Sequence, residues 1–134
     1  YGALPFRIGP GGGLEVMLVT SRETKRWVVP KGWPIKDLKP HAAAEREAYE
    51  EAGLVGHVRK RPIGSFTYEK RLKSRETVTC TVELFPLEVK KQRKRWPERS
   101  EREGRWFSPE EAAATVEEPG LKDLIRRLDG GPAV

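Results

Sequence analysis

Three carboxylates, Glu47, Glu50 and Glu51, stand at i, i+3 and i+4 in the stretch Arg46-Glu47-Ala48-Tyr49-Glu50-Glu51-Ala52-Gly53-Leu54. On a helix those offsets stack all three on one face. Like charges at that spacing repel, by about 0.2–0.5 kcal/mol per pair on an exposed helix. Two readings account for a sequence that keeps them. One is a solvated acidic face, the common fate of charged helical residues. The other is a cation held between the side chains, since clustered carboxylate oxygens suit hard ions such as Mg²⁺, Mn²⁺ or Ca²⁺.

The upstream residues bear on that choice. Gly32 is followed after a five-residue gap by Leu38, after seven more by Arg46-Glu47, and then by Glu50-Glu51, Gly53 and Leu54. Here the chain resembles the Nudix hydrolase family, whose signature is G-x5-E-x7-R-E-U-x-E-E-x-G-U, with U an apolar residue. Leu38 stands where the family has Glu, and every other fixed position fits. A fit of this length is far more specific than a short glycine motif. The first signature Glu generally supports the loop and helix in this family, so Leu38 bears on loop rigidity more than on metal binding.

The stretches Gly2 to Arg7, Glu15 to Arg22 and Arg26 to Gly32 are similar to the branch that hydrolyses diphosphoinositol polyphosphates and diadenosine polyphosphates, and Trp106 to Ala112 resembles the family's usual closing strand and helix. The resemblance implies an α/β fold, the Nudix-type α/β/α sandwich with a mixed sheet, as a single domain over residues 1–134. It implies a phosphorylated small-molecule substrate and Mg²⁺ or Mn²⁺ as cofactor. Glu47, Glu50 and Glu51 become metal ligands, one of them also the base, with Glu47 the choice. The Lys31 backbone carbonyl, and Glu101 or Glu103 from the loop before the closing strand, are further ligand candidates, with Glu103 carried forward. Arg46 is expected to orient a neighbouring carboxylate. Arg7, Ser21, Arg22, Arg26, Lys31 and Gly32 are the substrate-binding candidates, because arginine grips phosphate oxygens with two donors at once. Ordinary surface arginines are the alternative.

Hydrolysis of a phosphoanhydride needs neutralised phosphates, an activated water and a positioned leaving group. A divalent metal supplies the first two, and a carboxylate beside it can take the proton. Two other functions share this signature: a Nudix-fold module that binds nucleotide or RNA without turnover, and a hydrolase that removes damaged nucleoside triphosphates. Fold alone does not choose among them.

The composition narrows the class. At 134 residues the chain can bury one core without staples. A 37% hydrophobic and 34% charged composition fits a globular domain. No apolar run is long enough to span a membrane, and no signal peptide is visible. Cys80 is the sole cysteine, so the default expectation is a reducing cytoplasm. A net charge of +6 favours an anionic partner. The basic run Lys90-Lys91-Gln92-Arg93-Lys94-Arg95-Trp96 could attract RNA, but it is short and followed by Glu98, Glu101 and Glu103. Nucleic acid is therefore not the expected partner. His41 and His57 are too few for a zinc site, and Cys80 is expected in the core.

The elements follow from pattern. Strands are predicted over Ala3–Ile8, Glu15–Thr20, Trp27–Val29, Val55–Arg61, Ile63–Lys70 and Thr77–Leu87, the last with clean alternation. Pro40 opens a helix without a good cap at Lys39, and Gly53 ends it. Ala44, Ala48 and Ala52 form a small-residue stripe that lets this helix lie close to a sheet. Residues 90–105 read as a charged surface loop, and Trp33 as a packing lid, with stacking on an adenine the alternative. Ser108-Pro109-Glu110-Glu111 is a capping-box start, Pro119-Gly120 breaks the second helix, and Leu121–Leu128 form the last. Gly130–Val134 read as a frayed tail.

Overall fold

Ala3 and Leu4 are adjacent and both fully buried, yet they belong to different cores. Successive strand residues point to opposite faces, so the strand that carries them must be covered on both sides. The same split recurs one strand over, where Val16 and Leu18 join Leu4 while Met17 and Val19 join Ala3. The computed structural model describes residues 1–130. Its strands are β1 (Gly2–Ile8), β2 (Leu14–Thr20), β3 (Trp27–Val28), β4 (Leu54–Val58), β5 (Gly64–Arg71), β6 (Thr77–Gln92) and β7 (Gly104–Phe107); its helices are α1 (Pro40–Ala52), α2 (Pro109–Thr115) and α3 (Pro119–Gly130).

The seven strands form one mixed sheet whose main path runs β3-β2-β1-β6-β4, with β5 also paired to β6 and β7 to β2. Among the described residues only β1 and β6 pair in parallel, from Gly2 opposite Leu84 to Phe6 opposite Glu88; the other ladders are antiparallel. Helix α1 packs on β1, β4 and β6, while α2 and α3 pack against β2, β5 and β7. This is the expected α/β/α sandwich.

The alanine stripe explains how near α1 lies. Ala44, Ala48 and Ala52 are at most 2% exposed and share the second core with Leu54, Phe85 and Leu87. Gly53 then ends the helix at φ 69°, with its amide on the carbonyls of Ala48 and Tyr49. A side chain there would also strike the Trp96 ring, since a Cβ would come within 2.2 Å of it. At the other end Lys39 supplies no side-chain cap, as expected. The capping box between Ser108 and Glu111 is present in both directions at α2.

Several boundaries differ from expectation. Strand β6 continues to Gln92, five residues beyond Leu87, because β4 offers it a ladder in which Val55 faces Lys91 and Leu54 faces Gln92. Pairing overrides charge there, since alternate side chains can still reach water. What remains of the supposed surface loop is tied down: Arg93 N donates to Gly53 O at 2.8 Å and Glu98 N to Glu50 O at 2.9 Å. Pro119 opens α3 rather than sitting in a break, while α2 has already stopped at Thr115. Of the expected tail, Gly130 closes α3 and residues 131–134 lie outside the described residues.

Gly53→Ala tests the turn that leads from α1 into β4. A left-handed backbone costs an L-residue about 1–2 kcal/mol, and here the methyl also displaces the Trp96 indole. Urea unfolding should show at least that loss, and an unchanged midpoint would remove this account of the helix stop.

Candidate active site

Glu47 and Glu51 are one helical turn apart and share the face of α1 that meets the loop after β3. The alanine stripe sets the distance: with Ala44, Ala48 and Ala52 against the sheet, the neighbouring glutamates are carried under the chain at Lys31-Gly32. Glu51 is 4% exposed, and its Oε2 lies 3.4 Å from the Lys31 amide. Glu47 fills the space above Gly32, where a Cβ would come within 2.5 Å of its carboxylate. Gly32 is thus the residue that lets the loop and the carboxylate touch. Its own amide donates to the Tyr1 carbonyl at 3.0 Å, fastening the loop to the start of β1.

Burial governs the electrostatics of this pair. Desolvation pushes the Glu51 carboxyl up to about 8 from an ordinary 4.5, against the pull of Arg102 and with further upward pressure from Glu47 and Glu98. Glu47 is raised as well, first by desolvation and then by the Glu50 charge. Glu51 lies close enough to Glu47 to offset part of that rise, and two carboxyls so placed favour a shared proton or a cation between them. Arg102 approaches Glu51 Oε1 to 3.7 Å, too far for a tight pair. Its Nε donates to Glu98 Oε1 at 2.7 Å and its terminal nitrogen to Thr20 O at 3.1 Å.

Among the described residues no three acidic, histidine or cysteine side chains converge into a finished cation cage. The pair nevertheless fits a hard divalent ion. Its donors are carboxylate oxygens, it is buried with too little positive charge nearby, and Gly32 leaves room beside Glu47. Glu98 lines the same cavity, and Glu50 lies close enough to Glu47 to raise it.

That cavity encloses about 810 Å³. Ser21, Arg22, Arg26, Lys31 and Gly32 all line it, as the sequence suggested. The arginines are engaged: Arg22 binds Glu101 at 3.1 Å, and Arg26 binds Glu117 at 2.9 Å and Glu118 at 3.6 Å. Lys31 holds its Nζ 4.8 Å from the centre of the Tyr68 ring, and burial lowers its affinity for a proton. Ser21 bonds the Thr24 hydroxyl in the turn before β3.

Other expected residues sit elsewhere. Arg7 does not line the cavity; it is held by Glu15 at 2.8 Å across the β1–β2 ladder and stacks over Trp106 at 4.1 Å. Arg46 is exposed and makes no ion pair among the described residues, because one step along α1 turns it away from Glu47. Glu50 does not reach the cavity wall. Glu103 is exposed beside Arg105 at 3.6 Å, since its backbone is committed to Thr20 at the start of β7. Glu101, the alternative, is occupied by Arg22. The acidic residue that the segment does supply is Glu98, and with it Arg102. The i, i+4 spacing of those two was the available signal. Cys80 is half-buried on the cavity wall rather than in the core, opposite Tyr68 across the β5–β6 ladder. Trp33 is 64% exposed and so is no packing lid.

A model of the NUDIX domain family matches residues 5–128. The chain belongs to the Nudix family. It is 36% identical over 104 residues to Nudix hydrolase 13, mitochondrial, of Arabidopsis thaliana, covering 74% of this chain and 52% of that protein. It is 35% identical over 125 residues to the mouse diphosphoinositol polyphosphate phosphohydrolase 3-alpha, covering 87% and 70%. Among solved structures, a Caenorhabditis elegans Ap4A hydrolase superposes with a TM-score of 0.69 at 19% identity, over 98% of this chain and 96% of the other. At that identity the likeness concerns the Nudix fold alone. The chain spans about half the length of the Arabidopsis relatives it matches first.

Burial of the glutamate pair in this Nudix domain predicts a pH-dependent stability. Below pH 4.5 Glu51 is protonated both folded and unfolded, and the benefit of burying it neutral is fully present. Between 4.5 and about 8 the folded chain keeps a proton that the unfolded chain has lost, so stability falls as pH rises. The metal-free protein should therefore lose urea resistance across that window, and Glu51→Gln should flatten the slope. An equally steep slope in the variant would mean that some other group sets it.

Proposed function

We propose that this Nudix domain hydrolyses a phosphoanhydride bond with the help of Mg²⁺ or Mn²⁺. The observation that carries the reading is buried Glu51 and half-buried Glu47 facing the Lys31-Gly32 backbone in a cavity lined by Arg22, Arg26 and Lys31. Glu47, Glu51 and the Lys31 carbonyl would hold the ion, with Glu50 and Glu98 as the further carboxylates nearby. When bound, the metal supplies charge neutralisation at the phosphates and lowers the pKa of water. Glu47, raised by its surroundings, accepts the proton from the attacking water. Arg102 holds Glu98 at the cavity edge and limits its motion.

The cations of the same cavity, Arg22, Arg26 and Lys31, hold the phosphates beside the carboxylates. Arg22 rests on exposed Glu101 and Arg26 on exposed Glu117, with buried Glu118 a longer second contact, and exposed ion pairs contribute little, about 0–1 kcal/mol. A phosphate offering two acceptor oxygens to either guanidinium displaces such a partner readily. The substrate classes that the sequence resemblance supports are diadenosine polyphosphates and diphosphoinositol polyphosphates. The second is also the substrate named for the mouse relative.

Phosphate release from both classes in Mn²⁺ or Mg²⁺ tests the reading. Glu51→Gln should lower kcat by about a hundredfold or more, the scale of a lost acid–base constellation. Chelation should abolish turnover, and circular dichroism should show that the variant is folded. Undiminished turnover in a folded Glu51→Gln protein would sink the metal mechanism.

A further inference from the structure

Glu118 is one of two acidic side chains buried among the described residues, the other being Glu51. It does not itself line the cavity. It stands in the turn between α2 and α3, where its carbonyl accepts the Lys122 amide at 3.0 Å as α3 begins. Lys122 closes that turn, its Nζ donating to Ala113 O at 2.8 Å and to Val116 O at 2.6 Å. The start of α3 also lies against β5, where a Cβ on Gly120 would come within 3.0 Å of Phe66. The backbone thus fixes where the carboxylate goes. Its Oε2 reaches Arg26 at 3.6 Å. Its Oε1 is closed off from water and has no hydrogen-bond partner among the described residues.

A buried carboxylate with an idle oxygen is costly, and an apolar side chain would fill the same space. What such a charge can do is set by what it faces. Arg26 and Lys31 line the cavity in front of it. Burial disfavours the Lys31 ammonium, and the charges of Glu51 and then Glu118 counter that. The Tyr68 phenol, whose ring carries Lys31 Nζ, is raised to about 12, by burial first and then by Cys80, with Glu118 adding to it. Glu118 is therefore felt at both cations and at the ring beside one of them. Its neighbour Glu117 also holds Arg26, at 2.9 Å, but is exposed, so a phosphate displaces it at little cost. Glu118 is sealed in and keeps its place. A phosphate that reaches Arg26 and Lys31 thus meets two cations with a fixed negative charge behind them, in surroundings that screen it poorly.

We infer that Glu118 is a specificity-determining residue of this cavity, its fixed carboxylate behind Arg26 and Lys31 limiting how much negative charge a bound phosphate group can carry. This rests on the reading above that the cavity takes the phosphates of the substrate. The repulsion grows with the charge brought up to the two cations. A ligand that presents a single phosphoryl group there loses little, and one that presents clustered phosphates loses more.

The test is calorimetric titration in Mg²⁺, at fixed ionic strength, with two anions that hold no phosphoanhydride bond: orthophosphate and the more highly charged methylenediphosphonate. Glu118→Gln removes the charge and keeps an oxygen toward Arg26. It should bind orthophosphate about threefold and methylenediphosphonate about tenfold more tightly than the parent, since the gain scales with ligand charge. Glu118→Leu should show the same unequal gain, so either variant that circular dichroism shows to be folded decides. An equal gain for the two anions would mark a purely structural effect and overturns the inference. So does unchanged or weaker binding in a folded variant, and in both cases binding by the parent leaves the phosphate reading standing. If neither the parent nor the folded variants bind either anion, the phosphate reading and the role of Glu118 fall together.

Discussion

The close approach of α1 to the sheet is the constraint on which the site depends. Ala44, Ala48 and Ala52 give that helix almost no side-chain thickness on its inner side. A bulkier stripe would lift the helix and draw Glu47 and Glu51 off the Lys31-Gly32 backbone. Gly32 makes the complementary concession from the loop. Two small-residue surfaces thus press carboxylates into a place with little water, and the raised proton affinity of Glu51 follows from that confinement. The protein tolerates an electrostatic arrangement that is unfavourable without a cation, as functional sites commonly do.

The rest of the fold serves to fix the parts that meet there. Strand β1 lies at the centre and holds the loop through the bond between Tyr1 and Gly32 and through the Ala3 amide on Pro30 O at 3.0 Å. The segment after β6 reaches back under the end of α1, where Glu98 N bonds Glu50 O and Trp96 lies against Gly53. Through Arg102 it also binds the end of β2. Acid and base groups of the site therefore come from one helix, one loop and one returning segment, each locked by backbone hydrogen bonds rather than by side-chain contacts alone.

Local signals in the sequence were legible. The spacing of Glu47 and Glu51, the stop at Gly53, the capping box at Ser108 and the alanine stripe each involve neighbours within one or two helical turns, and local physics decides them. The approach of Arg22, Arg26 and Lys31 to the carboxylates was readable through the resemblance of the surrounding motif. Glu98 and Arg102 were not, because their place depends on contacts with Glu50 and Thr20 far along the chain. Charge was a poor guide to structure at Lys90–Gln92, where a neighbouring strand recruits charged residues into a ladder. Arg7 misled for a related reason: Glu15 sits opposite it across the hairpin and captures it first.

The parallel pairing of β1 with β6 has a consequence for biogenesis. Gly2 finds its partner in Leu84, and Phe6 finds its own in Glu88. A nascent chain thus carries its central strand, with both faces apolar, through the synthesis of β2, β3, α1, β4 and β5 before β6 leaves the ribosome. Until then the β1–β2 hairpin offers an unpaired edge and two bare faces, the kind of surface that chaperones bind and aggregates recruit. Assembly awaits the distant half of the chain, and such long-range closure is slow.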